Sequence, residues 1–322
     1  MHMENQILVF GEVLWDLLPS GKKPGGAPSN FAWHANAIGA SALINTRIGK
    51  DPLGDEICSI LKANGLSGQF VQIDPIHPTG TVNVLLDANG QPAYEIVQNV
   101  AWDYIEATPP LLSFAGQADA FYFGSLAARS ENNLQTLRLL LKQLPNRCLR
   151  IFDLNLRAPF YRRELIEELL HTTDVFKLND EELFIIASLF TERMPYFPKK
   201  ENGLFASPES GEIRSDLIEG VQHFMRSFDI KYVVLTAGSK GSFLMDASGN
   251  RSYCPAKEVK IADTVGAGDS FTAVCAVGLL KGRPLDEINA KANDYAAFIC
   301  TQSGAMHEYP NASQLFAGKS ST

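Results

Sequence analysis

The segment richest in chemistry is Ala262-Asp263-Thr264-Val265-Gly266-Ala267-Gly268-Asp269-Ser270-Phe271, which runs into apolar positions at Phe271, Val274, Cys275, Gly278 and Leu279. That spacing predicts a helix, with the small residues at its start. Gly266, Ala267 and Gly268 carry little or no side chain, so their backbone N–H groups can surround an anion whose charge the positive helix end favours. Asp269 sits at the same end, where the dipole stabilises an ionised carboxylate able to take the proton of an attacking hydroxyl. A base and an anion cradle within one turn suit phosphoryl transfer, in which positioning and charge stabilisation carry most of the catalysis. Taken alone, Gly-Ala-Gly-Asp is as natural as a tight turn ahead of a helix.

Four further sets of polar residues follow short apolar runs. Asp16 comes after Ile7 to Phe10, in Gly11-Glu12-Val13-Leu14-Trp15-Asp16; it reads as a surface turn residue or, at a strand's carboxyl end where ligands gather, as a carboxylate able to accept two hydroxyl bonds at once. Asn155 and Arg157 follow Leu149 to Phe152, and a guanidinium spreads positive charge over phosphate oxygens through a planar fork of donors. Asn179-Asp180-Glu181-Glu182 follows Val175 to Leu178; by charge alone it reads equally as an acidic helix start. Thr236-Ala237-Gly238-Ser239-Lys240-Gly241 follows Tyr232 to Leu235; alone it is a glycine-rich hairpin. No Walker A sequence is present, which disfavours a P-loop nucleotide site.

Taken in order, these strings resemble one family. Asp263 to Phe271 resembles the C-terminal signature of the ribokinase and phosphofructokinase-B family of carbohydrate kinases. Gly25-Gly26-Ala27-Pro28-Ser29-Asn30-Phe31-Ala32, followed by Gly49 and Asp51-Pro52-Leu53-Gly54, resembles its N-terminal signature. The resemblance runs from about Leu8 to about Pro310. It implies an ATP-dependent sugar kinase with Asp269 as base, and with Gly266, Ala267, Gly268 and Arg157 stabilising the transferring group. It implies sugar contacts from Asp16, Gly25, Gly26, Asn30, Asn155 and Asp269. Nucleotide contacts would come from Asn179, Thr236, Gly238, Gly241, Gly266 and Gly268. Glu182, in the N-x-x-E motif, would help hold Mg²⁺ largely through water, which suits an ion that keeps several waters.

A potassium ion is a further expectation at Thr301 to Ala305 with the backbone around Asp263, although Gln302-Ser303 stand where relatives often carry basic residues. Val100-Ala101-Trp102-Asp103, Gly11-Glu12-Val13 and Phe123-Gly124-Ser125-Leu126 look like the fructokinase version and lean the substrate towards fructose, giving fructose 6-phosphate. Ribose, 2-keto-3-deoxygluconate or a nucleoside are the alternative acceptors. Outside the enzyme class, a catalytically silent sugar-binding sensor is the rival, against which the retained Asp269 and full glycine loop argue.

The elements that must position these residues alternate. The runs at Ile7 to Phe10, Ala120 to Phe123, Leu149 to Phe152, Val175 to Leu178 and Tyr232 to Leu235 predict buried strands. Helical spacing follows in Leu134, Leu137, Leu141 and Leu144 behind a Ser130 N-cap, then in Leu165, Ile166, Leu169 and Leu170. It recurs in Ile213, Leu217, Val221, Phe224 and Met225. This predicts an α/β fold with a mainly parallel sheet covered by helices on both faces, and the resemblance implies its ribokinase-like three-layer form. Alternation from Thr81 to Val97 around Asn89-Gly90 predicts a hairpin, and Thr191 to Gly211, with three prolines, a long loop. The expected organisation is one kinase domain over 1–318 with a small antiparallel β lid from about 12–25 and 78–105. Such a lid would exclude water from the sugar and could carry a homodimer interface.

With 322 residues and 45% hydrophobic content the chain can bury a sizeable core, while a formal charge of −8 opposes polyanions, so nucleic acid is not an expected partner. Five widely spaced cysteines without a C-x-x-C pair, and six scattered histidines, suggest neither a disulfide framework nor a metal cluster. The polar start before Ile7 to Phe10 does not read as a signal peptide, and no run approaches the roughly 18 apolar residues of a membrane helix. A reducing cytoplasm and no membrane partner are the expectation.

Overall fold

The computed structural model describes residues 5–18, 21–86, 92–194 and 213–317. The expected Asn89-Gly90 turn and nearly all of the Thr191 to Gly211 loop lie outside the described residues. The chain divides into two compact units, one of Met1–Asn36 with Ala40–Cys148, the other of Ala37–Gly39 with Leu149–Thr322.

The first unit contains β1 (Gln6–Phe10), β2 (Leu14–Leu18), β3 (Gly21–Gly25), α1 (Ala27–Ala37), β4 (Ser41–Gly49), α2 (Pro52–Ala63), β5 (Phe70–Asp74), β6 (Gly80–Leu86), β7 (Pro92–Ile96), α3 (Pro109–Ala115), β8 (Ala120–Gly124) and α4 (Glu131–Gln143). Strands β8, β1, β4 and β5 pair in that order, all parallel. Ile7 to Phe10 have no solvent exposure, as an unbroken apolar run in a parallel sheet demands. A second sheet takes the order β3-β2-β6-β7, with β2 and β6 parallel and both outer pairs antiparallel. The Ser130 hydroxyl accepts from the Asn133 N–H at 3.2 Å and caps α4. Its buried stripe runs through Leu134, Leu137 and Leu140, so Leu140 rather than the expected Leu141 completes it. A three-residue step keeps the stripe on one face there.

The second unit contains β9 (Leu149–Asp153), α5 (Arg163–Leu170), β10 (Val175–Asn179), α6 (Asp180–Leu189), α7 (Ser215–Phe228), β11 (Tyr232–Thr236), β12 (Ser242–Asp246), β13 (Arg251–Cys254), α8 (Ala267–Leu280) and α9 (Leu285–Cys300). Its strands take the order β13-β12-β11-β10-β9, parallel from β9 to β11 and antiparallel beyond. Asp174, just before β10, stitches the strand starts together. Its carboxylate accepts from the Arg150 N–H at 2.9 Å and pairs with Arg150 and Lys231. Its carbonyl accepts from Lys231 and Tyr232 N–H. Both units thus alternate parallel strands with helices, the predicted α/β class.

Candidate active site

The C-terminal ends of β9, β10 and β11 and the start of α8 carry most of the predicted polar residues. Gly266 sits in the left-handed region at φ +80°, just ahead of α8, and a Cβ there would stand 2.6 Å from the Ala305 Cβ. Only glycine meets both conditions. The chain then enters α8 through Ala267, Gly268 and Asp269, so the expected base and the expected cradle do share one turn.

Behind that turn lies a charge network that sequence reasoning missed. Lys177, inside β10 and only 7% exposed, donates from Nζ to Asp153 Oδ1 at 3.0 Å. The same Nζ is 3.4 Å from where a Cβ on Gly268 would stand. The Thr272 hydroxyl lies 3.1 Å from Asp153 Oδ2 and 2.9 Å from the Gly268 carbonyl, one proton between two acceptors. Burial pulls the Lys177 ammonium down, but Asp153, Glu182 and Asp269 more than offset it, so Lys177 is held charged. The available signal was a lysine in the otherwise apolar run Val175 to Leu178.

Asn179 and Glu182 form a capping box at the start of α6. The Glu182 N–H donates to Asn179 Oδ1 and Glu182 Oε2 accepts from the Asn179 N–H, both at 2.8 Å. Glu182 Oε1 accepts the Leu156 N–H at 2.8 Å, fastening the loop after β9 to α6. Burial pushes the Glu182 carboxyl up, against the pull of Lys177. In that loop Asn155 takes φ +40°, and exposed Arg157 donates to the Leu156 carbonyl at 3.0 Å.

Asn179 lies directly opposite Thr236 in the β10–β11 register. The two predicted glycines beyond β11 differ. Gly238, at φ +53°, faces open space, whereas a Cβ on Gly241 would stand 2.1 Å from the Cys254 carbonyl. Gly241 therefore makes room for its own chain, whereas nothing crowds Gly238. Asp263 accepts from Val265 N–H at 3.1 Å and Gly304 N–H at 3.2 Å, joining the two segments expected around potassium.

In the first unit, Asp16 is half-buried on β2, and its Oδ2 is 2.6 Å from where a Cβ on Gly25 would stand. Gly26, at φ +119°, would drive a Cβ to 2.4 Å from the Glu12 carbonyl, and its own carbonyl accepts the Ser29 and Asn30 N–H groups. Asn30 is buried in the first turn of α1. Glycines and the turn thus draw Asp16, Gly25, Gly26 and Asn30 together.

A family model described as pfkB family carbohydrate kinase matches residues 19–312. The chain belongs to that family. This pfkB-family carbohydrate kinase is 26% identical to a fructokinase of Klebsiella pneumoniae over 325 residues, covering 96% of this chain and 97% of the relative. Its fold is that of a fructokinase with bound ATP from Xylella fastidiosa, with a TM-score of 0.77 at 18% identity over 97% of each chain. A fructokinase from Vibrio cholerae, in a form binding fructose, ADP and calcium ion, gives a TM-score of 0.72 at 24% identity, covering 97% of this chain and 98% of that one.

Two features bear on the finer expectations for this pfkB-family kinase. Trp102 has no solvent exposure, stacks under the Arg129 guanidinium at 3.9 Å and abuts Gly80. Asp103 is tied to Arg129 at 2.8 Å. Trp102 and Asp103 are therefore packed against Arg129, and the lean towards fructose rests on the resemblance of the string rather than on its burial. As for magnesium, no group of three or more His, Cys, Asp or Glu among the described residues could hold a metal ion. Both Glu182 oxygens already accept amides, so the donor set fits an ion approached through water rather than a protein cage. No helix among the described residues is long and apolar enough to cross a membrane.

Proposed function

We propose that this carbohydrate kinase transfers the γ-phosphoryl group of ATP to a hydroxyl of fructose, giving fructose 6-phosphate and ADP. The observation that carries the reading is the turn Gly266 to Asp269, which puts a carboxylate and a row of side-chain-poor amides at one helix start backed by Lys177. The Asp269 carboxylate takes the proton of the attacking hydroxyl as its oxygen forms a bond to the γ-phosphorus. The bond from that phosphorus to the β–γ bridging oxygen breaks, and its electron pair leaves with ADP. Amides of Gly266, Ala267 and Gly268, with the Arg157 guanidinium, stabilise charge on the transferring group.

We assign Asp16, Gly25, Gly26, Asn30 and Asn155 to the sugar, and Asn179, Thr236, Gly238 and Gly241 to the nucleotide, Gly241 by shaping its loop. Magnesium, reached by Glu182 through water, would neutralise charge on the β- and γ-phosphate oxygens. A monovalent cation near Asp263 and Thr301 to Ala305, assembly as a homodimer through the β3-β2-β6-β7 sheet and a cytoplasmic location belong to the same reading. Fructose is preferred because the relative from Klebsiella pneumoniae is named a fructokinase and the chain matches it almost end to end. An ADP-release assay over fructose, ribose, 2-keto-3-deoxygluconate and nucleosides tests it. Fructose should give the highest kcat/KM; a poor value rejects fructose, and sugar binding without turnover of any acceptor rejects the kinase.

A further inference from the structure

Lys177 interrupts a strand whose other core positions, Val175, Phe176 and Leu178, are apolar. An ion pair buried there gives up two hydration shells, and an apolar residue would fill the position without that loss. Asp153 on β9 pairs with the ammonium at 3.0 Å, and the charges of Glu182 on α6 and Asp269 on α8 help to hold its proton. One cation thus serves three carboxylates. Without it, these groups and an incoming polyphosphate would lose the attraction of that cation.

The direction in which Lys177 points is the second observation. Its Nζ lies against Gly268, at 3.4 Å from the Cβ position, and its partner Asp153 is joined through the Thr272 hydroxyl to the Gly268 carbonyl. The ion pair is therefore anchored to the turn that presents the amides and Asp269.

We propose that Lys177 is a positioning residue for phosphoryl transfer: with Asp153 and Thr272 it fixes the first turn of α8 and sets a positive charge behind the Gly266 to Gly268 amides. The inference rests on the kinase reading of that turn. The charge acts where negative charge gathers on the transferring group, and it acts through the backbone of Gly268.

The test uses the full chain, steady-state kinetics and thermal melts. Lys177→Met should lower kcat about 10²–10³-fold, the range for losing one oxyanion-stabilising donor, with KM for ATP and sugar within about threefold. The double variant Lys177→Met with Asp153→Asn removes both charges together. Its melting temperature should recover towards wild type while kcat stays low. Recovery of kcat along with stability would mean that the pair only holds the fold, and overturns the proposal; so would a folded Lys177→Met with kcat within threefold of wild type. Thr272→Val keeps both charges and carries the test if neither variant melts cooperatively: kcat should fall about tenfold at unchanged KM, and an unchanged kcat overturns the proposal. Normal kcat in these variants sinks this inference alone, whereas sugar binding without turnover of any acceptor by the wild-type chain sinks the kinase reading.

Discussion

Asp269 and the turn that carries it can be separated by mutation, because one supplies a proton acceptor and the other a shape. Asp269→Ala should lower kcat by about 10²–10⁴-fold, the usual share of a general base, while calorimetry still detects fructose binding. Gly266→Ala works differently: at φ +80°, with its new Cβ 2.6 Å from that of Ala305, it should lose about 1–3 kcal/mol in denaturant melts as well as activity. Both residues were legible in the sequence, since a glycine turn with an aspartate at a helix start is a local pattern. Lys177 was not, because its partners Asp153, Glu182 and Asp269 arrive from distant parts of the chain. The setting of Trp102 was equally out of reach, because Arg129 and Gly80, which enclose it, come from other parts of the chain.

At the scale of elements, the apolar runs predicted β1, β8, β9, β10 and β11 to within a residue or two, since runs buried in a parallel sheet stay mostly apolar even where Arg150 or Lys177 interrupts them. β3 falls inside the lid expected over 12–25 but was not legible as a separate strand, because Gly21-Lys22-Lys23-Pro24-Gly25 has no strand-forming residue and its pairing with β2 defines it. Asp174 shows how strand starts are tied. Burial raises its pKa, but Arg150 and Lys231 outweigh that, and the folded value lies below that of a free carboxyl. A depressed carboxyl gives stability that is present above the unfolded value of about 4 and fades as pH falls through the folded one. Asp174→Asn should therefore melt lower than wild type at pH 7, and the gap should close in acid. A gap constant from pH 7 to pH 3 would contradict this.

For the molecule as a whole, burial separates the thiols from one another. All five cysteines are free; Cys58 is exposed, while Cys148 and Cys275 are buried, and burial pushes the Cys275 thiol well up. An aromatic disulfide reagent should label Cys58 in the native protein, and Cys148 and Cys275 only after unfolding, as mass spectrometry of peptides would record. The choice of sugar was not legible, because it depends on how a few side chains are presented rather than on any pattern of periodicity. One feature of α8 reaches further. From Ser270 to Gly278 every residue is buried, so the middle of the helix has no solvent face. The amides of that stretch should exchange with deuterium only when the surrounding unit opens as a whole, which makes the rate of heat inactivation a gauge of that opening.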